Sequence, residues 1–236
     1  MTTILVWPDI FKLNRSAFYV MSHSRGFESP LNRASLHERL AGERWMADLE
    51  LVPMNNATQR ELQGFLSQLD GPVTRVLLGP RTAGYASARG AGAGDPSAAS
   101  VPFSDDATFS DGSAFAEGGD TGRVTALAGR GADSLLVNGL VASVTALERG
   151  DIIQVGDPWD GSNCQLLEIV QPARSDASGA TRVQIRPRLR ADVIAGTVVR
   201  FVDPRGLFKL ADDSQTAVSR GLTHASHALR FVEALS

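Results

Sequence analysis

The pattern of this 236-residue chain predicts a mainly β fold with a single substantial helix. Three observations carry that reading. Residues 150–156, 164–170 and 182–190 are short runs rich in strand formers, separated by turn-forming clusters. Residues 43–51 alternate strictly, with Trp45, Ala47, Leu49 and Leu51 on one face, the pattern of a half-buried strand. Only residues 56–69 carry apolar side chains at helical spacing, Leu62, Phe65, Leu66 and Leu69.

The elements follow in chain order. Residues 4–7 and 17–21 are short extended runs. Residues 27–33 read as an arm or loop, because Pro30 interrupts any ladder. Pro53 ends the alternating strand, and Asn55 or Asn56 is placed to cap the helix that follows. Gly71-Pro72 stops the helix, and residues 74–80 form the next strand, so 43–80 make a strand–helix–strand unit. From residue 83 to 122 the composition shifts to Gly, Ala, Ser and Asp, with Phe103, Phe109 and Phe115 recurring every six residues. This is predicted to be a long loop or inserted arm. Residues 123–202 are all β, with strands expected at 123–128, 134–137, 152–155, 164–170, 181–189 and 197–202. Residues 157–161 and 175–179 are turns by composition. Two further strands, 207–211 and 228–234, close the chain.

Composition narrows the function. The net charge of −3 argues against a general nucleic-acid binder. Lys12 and Lys209 are the only lysines, so 21 of the 23 basic residues are arginines, the cation favoured at protein interfaces. One cysteine, Cys164, allows neither an intramolecular disulfide nor a cysteine metal cluster. The N-terminus lacks the basic start and apolar core of a signal peptide, and no run approaches the ~20 apolar residues of a spanning helix. The expectation is a chain made in the cytoplasm, used there or carried out of the cell as part of a particle, with no membrane partner.

Catalytic patterns are missing from the sequence. His224 and His227 are spaced i, i+3 but have no third ligand nearby, so a metal site is not expected. Residues 90–94 lack the flanking strand, helix and Lys of a phosphate loop. Asp105-Asp106 and Asp157/Asp160 read as turn residues, and Cys164 as a core thiol. No cofactor is expected. Period two along 182–190 places Arg182, Gln184, Arg186, Arg188 and Arg190 on one face and Val183, Ile185, Pro187 and Leu189 on the other. That face suits an acidic neighbour, solvent, or phosphates.

The order of these features resembles tailed-bacteriophage minor tail proteins related to the distal tail protein of long-tailed phages. The matching stretches are the Ser-Pro-Leu-Asn loop at 29–32, Glu-Arg-Trp-Met-Ala-Asp-Leu-Glu-Leu-Val-Pro-Met at 43–54, the helix end Phe-Leu-Ser-Gln-Leu-Asp-Gly at 65–71, Gly-Asp-Ile-Ile-Gln-Val-Gly at 150–156, Ser-Asp-Ala-Ser-Gly at 175–179, Arg-Pro-Arg-Leu-Arg at 186–190 and Phe-Lys-Leu-Ala at 208–211. The resemblance spans nearly the whole chain except 83–122. It implies a discontinuous belt-type β-barrel from residues 1–82 plus 205–236, the extended arm at 83–122, and an inserted small β-barrel or sandwich at 123–204. It further implies a virion structural protein with no turnover, assembled into a ring, usually a hexamer, where tail tube meets tail tip. Its partners would be its own copies, the tail tube protein, and the tip or hub proteins. Inter-subunit contacts are then expected from Phe27, Leu31, Phe103, Phe109, Phe115, Arg186 and Arg188. Some relatives carry a carbohydrate-binding sandwich as the extra domain; here that stretch is short, and Trp159 is its one exposed-aromatic candidate. The alternative is a non-catalytic β-barrel nucleic-acid-binding module using the Arg-rich strand.

Overall fold

The computed structural model describes residues 3–28, 33, 35–40, 42–80, 121–140, 142–159, 164–212 and 227–234. The elements are β1 (Ile4–Val6), β2 (Leu13–Met21), β3 (Ser24–Glu28), β4 (Ser35–Arg39), β5 (Arg44–Leu51), α1 (Asn56–Leu69) and β6 (Arg75–Leu78). Then come β7 (Thr121–Val124), β8 (Ser134–Asn138), β9 (Thr145–Leu147), β10 (Ile152–Val155), β11 (Gln165–Ile169), β12 (Ala173–Arg174), β13 (Thr181–Arg186), β14 (Val198–Arg200), β15 (Gly206–Leu210) and β16 (Ala228–Glu233). The fold is mainly β with one described helix and a closed six-stranded barrel. The chain divides into two compact units, Met1–Leu78 with Leu207–Leu235, and Gly79–Gly206.

In the first unit a six-stranded sheet runs in the order β1-β6-β15-β16-β5-β2. Among the described residues this sheet is open; the closed barrel lies in the second unit. β5 pairs with β16 on one side and the edge strand β2 on the other, and period-two burial puts Trp45, Ala47, Leu49 and Leu51 inside while Asp48 and Glu50 face out. α1 opens where Asn55 accepts a hydrogen bond from the Thr58 amide at 3.0 Å, satisfying a donor that the first helical turn leaves orphaned. It ends at Asp70 in the left-handed conformation. Its buried face is Leu62, Phe65, Leu66 and Leu69. Phe65 meets Trp7 edge-on with centroids 5.6 Å apart and tilts against Phe11 at 5.8 Å. Trp7 in turn meets Phe231 of β16 at 5.9 Å. An aromatic cluster therefore ties the helix to the N-terminal segment and to the last strand. At the sheet's interior Glu233 accepts a 2.8 Å hydrogen bond from the Trp45 amide, so this buried carboxylate satisfies a backbone donor 188 residues away.

In the second unit β10, β11, β13, β8, β7 and β14 close into a barrel in which every neighbouring pair is antiparallel. Val124, Leu135, Val137, Ile153, Val155, Leu167, Ile169, Val183, Ile185 and Val199 fill the interior. Phe201 also lies inside, and it sets a limit at Gly122. A Cβ there would overlap the Asn138 carbonyl oxygen and come within 2.9 Å of the Phe201 ring. Two buried glutamines on strands of the barrel accept hydrogen bonds from passing chain through their side-chain oxygens. Gln154 accepts from the Arg205 amide at 2.9 Å, and Gln165 from the Arg190 amide at 2.8 Å. β9 and β12 form a separate two-stranded ribbon. It leads to the expected turn, where Asp176 accepts from the Ser178 amide (2.8 Å), the Ser178 hydroxyl (2.7 Å) and the Ala180 amide (2.9 Å). These bonds favour the ionised form and hold its carboxyl below the usual carboxylate range.

Two expectations are corrected. Phe27 and Glu28, within the stretch 27–33 expected to be an arm or loop, belong to β3, which pairs with β4 as an antiparallel hairpin, because Pro30 falls between the two strands and not within either ladder. The strand expected at 181–189 ends at Arg186, and the chain turns at the buried Pro187. Leu189 then bonds to residues 131 and 132 instead. Leu66, which is only 1% exposed, should cost about 2–5 kcal/mol on substitution by alanine in a denaturant titration. A loss below about 0.5 kcal/mol, the level of a surface change, would remove α1 from the core.

Candidate assembly surfaces

β3 and β4 continue the ribbon made by β2 and β5. The β2–β5 register runs out at Met21 opposite Arg44, the Leu40 amide bonds the His23 carbonyl at 2.8 Å, and pairing resumes with Ser24 opposite Arg39. Five residue pairs extend the arm by about 17 Å. Every described side chain along it is exposed. One face carries Arg25 opposite Glu38 and Phe27 opposite Leu36; Phe27 is 65% and Leu36 70% exposed. The opposite face carries Gly26 opposite His37, and a Cβ at Gly26 would lie 2.9 Å from the imidazole, so the glycine makes room for that ring.

Where β2, β5 and β16 pair, the outer face of the sheet is charged. Asp48 accepts from Arg230 Nε at 2.7 Å and from the Tyr19 hydroxyl at 3.3 Å. That bond and the Asp48 charge raise the Arg230 pKa above its already high ordinary value. Arg15, Asp48, Glu50 and Arg230 stand around a shallow groove of about 430 Å³ floored by Ala17 and Ala228. Two guanidiniums and two carboxylates leave it without net charge, and such exposed pairs contribute little to stability.

Of the residues expected at interfaces, Phe27 lies on the exposed arm and Leu36, which sequence reasoning missed, lies directly opposite it. Leu31, Phe103, Phe109 and Phe115 lie outside the described residues. Arg186 is half-buried at the end of β13, opposite Glu168 of β11, whereas Arg188 is exposed on the turn beyond the strand. The two therefore do not share a strand face as expected. The barrel instead brings Arg182 and Arg186 to the outward side of the strands that also carry Arg123 and Arg200, two residues not singled out beforehand. Their alternation with buried Val124 and Val199 was visible in the sequence; the strand order was not. Trp159 is 61% exposed beside an Asp157 turn, its amide donating to Asp157 at 2.9 Å.

Among the described residues no group of three or more His, Cys, Asp and Glu is placed to hold a metal ion, and no helix is long and apolar enough to cross a membrane. His224 lies outside the described residues. Cys164 is half-buried, its thiol donating to the Arg205 carbonyl at 3.3 Å. No protein-family model matches the chain, and no curated protein is significantly similar to it.

His227 is buried beside β5, and its carbonyl accepts the Leu51 amide at 2.8 Å. Burial disfavours the imidazolium and lowers its pKa from the ordinary value of about 6.5. As pH falls below that value the unfolded chain takes up the proton before the folded one. Stability is therefore intact above about pH 6.5 and declines as pH falls through the depressed folded pKa. Thermal melts between about pH 7 and 5 should show this decline, and His227→Gln should flatten it. An unchanged pH slope in that variant would assign the decline to other groups.

Proposed function

We propose that this chain is a structural subunit of the tail of a long-tailed phage, forming an oligomeric ring at the distal end that joins tail tube to tail tip. It works by self-association and carries out no reaction. The reading rests on the order of sequence motifs shared with distal tail proteins, and is supported by the mainly β architecture. The observation that carries it is the arm. A lone two-stranded ribbon is marginally stable in water and needs a third strand or a packed face. Here the arm holds Phe27 and Leu36 on one face, both well exposed. A neighbouring copy covering that face would stabilise the arm and assemble the ring at the same contact.

Burying two large apolar side chains contributes about 1.5–3 kcal/mol each, so Phe27→Glu with Leu36→Glu should weaken association by roughly 10²-fold or more. Light scattering after size-exclusion chromatography should place the wild type at a multiple of 25.1 kDa, alone or with tail-tube and tail-tip proteins. The double variant should run as a folded monomer. A wild type that stays monomeric at high concentration and ignores those proteins would contradict the proposal.

A further inference from the structure

The barrel builds a cationic face that no single stretch of sequence contains. β14, β7, β8 and β13 are consecutive around the wall. Their inward residues fill the core, so Arg123, Arg182, Arg186 and Arg200 point outward. The outward positions of these four strands include no Asp or Glu. Glu168, on β11, stands opposite Arg186 at one border only. Registers place Arg182 opposite Leu136, Arg123 opposite Val198, and Arg200 opposite Thr121. Arg123 and Arg200 are thus diagonal neighbours about 7–8 Å apart, and the four strands span about 14 Å. Leu136 and Val198 lie between the arginines, and Val198 is 41% exposed. Among the described residues no hydrogen bond or ion pair of the Arg182 or Arg200 side chain is present.

The fitting ligand is an acidic chain that also offers apolar groups. Phosphodiester backbones match the arginines but leave Leu136 and Val198 without contacts, and no aromatic side chain stands outward on these strands to stack a base. The chain itself contains a matching segment. Residues 103–120 hold five carboxylates, Asp105, Asp106, Asp111, Glu117 and Asp120, with no Lys, Arg or His, and three phenylalanines. The segment lies outside the described residues, and it leads directly into Thr121, an outward residue of β7 on this same face. We propose that the arginine face of the barrel is the docking surface for the acidic, phenylalanine-bearing segment 103–120 of this chain. Guanidinium–carboxylate pairs set its position, and phenylalanine contacts with Leu136 and Val198 supply apolar burial. The inference does not depend on the ring reading.

The test is charge reversal followed by charge exchange in the full-length protein. Chymotrypsin cleavage after Phe103, Phe109 and Phe115 is followed by mass spectrometry, since cleavage reports the population in which the segment is undocked. Arg123→Glu with Arg182→Glu should raise that rate about tenfold at low salt, as should Asp105→Lys with Asp106→Lys and Asp111→Lys. Combining the two sets should restore wild-type protection, which general destabilisation would not do. Arg123 and Arg182 are exposed, and Arg123 Nη1 donates to the Gly196 carbonyl at 3.1 Å; where circular dichroism melts move in the glutamate variants, Arg123→Gln with Arg182→Gln provides the same comparison without added charge. Wild-type cleavage rates in either single set, or no rescue in the combination, would overturn the proposal. So would tight binding of a 20-nucleotide single strand at about 0.15 M salt that is lost in the arginine variants, which would assign the face to nucleic acid.

Discussion

A two-stranded ribbon in water has one hydrogen-bonded partner per strand and no covered face, and that shortage governs this molecule. β2 and β5 escape it because β5 also pairs with β16 and its inner side chains are buried. Among the described residues β3 and β4, continuing the same ribbon, gain neither benefit. Local devices help in part: His37 lies over Gly26, and Phe27 pairs with Leu36 across the ribbon. Cross-strand pairs of this kind contribute tenths of a kcal/mol to about one each. Ordering a residue's backbone costs about 1–2 kcal/mol. Among the described residues no contact makes up the difference, which is why the proposed function rests on the arm.

The barrel solves the same problem by closure. β10 pairs with β14, so the sheet has no free edge, and the side-chain oxygens of Gln154 and Gln165 accept from amides of passing chain. A closed wall also fixes side-chain direction rigidly. Arginines that are far apart in sequence, at 123, 182 and 200, acquire a set spacing on one surface. Rigid placement of charge on a sheet suits recognition of a partner of matching geometry. The two units thus present opposite kinds of surface, an arm that is not self-sufficient and a wall that is.

Much of the fold was legible because it depends on local periodicity. The helix runs over 56–69 as its apolar spacing and Asn cap predict, and the strand at 152–155 stands where its flanking glycines place it. Errors arose where one residue admits two roles. Pro30 interrupts a ladder it lies within, but a proline between two strands is compatible with both of them pairing. Pro187 kept the period-two pattern of burial while ending the strand, so Arg188 stayed exposed yet left the face on which Arg186 sits. The surfaces were less legible than the elements. Leu36 pairs with Phe27, and Arg123 joins Arg182 across β8, through register alone, and register is a property of two strands that neither strand's composition reveals.

The account turns on whether the arm is ordered by a neighbouring copy. Amide hydrogen exchange of residues 24–28 and 35–39, followed as protein concentration is raised, measures this directly. Protection of these amides should increase in step with self-association, while amides of β5 and α1 stay protected at every concentration. Arm amides that are fully protected in a dilute monomer, or that remain unprotected in the assembled particle, would contradict it.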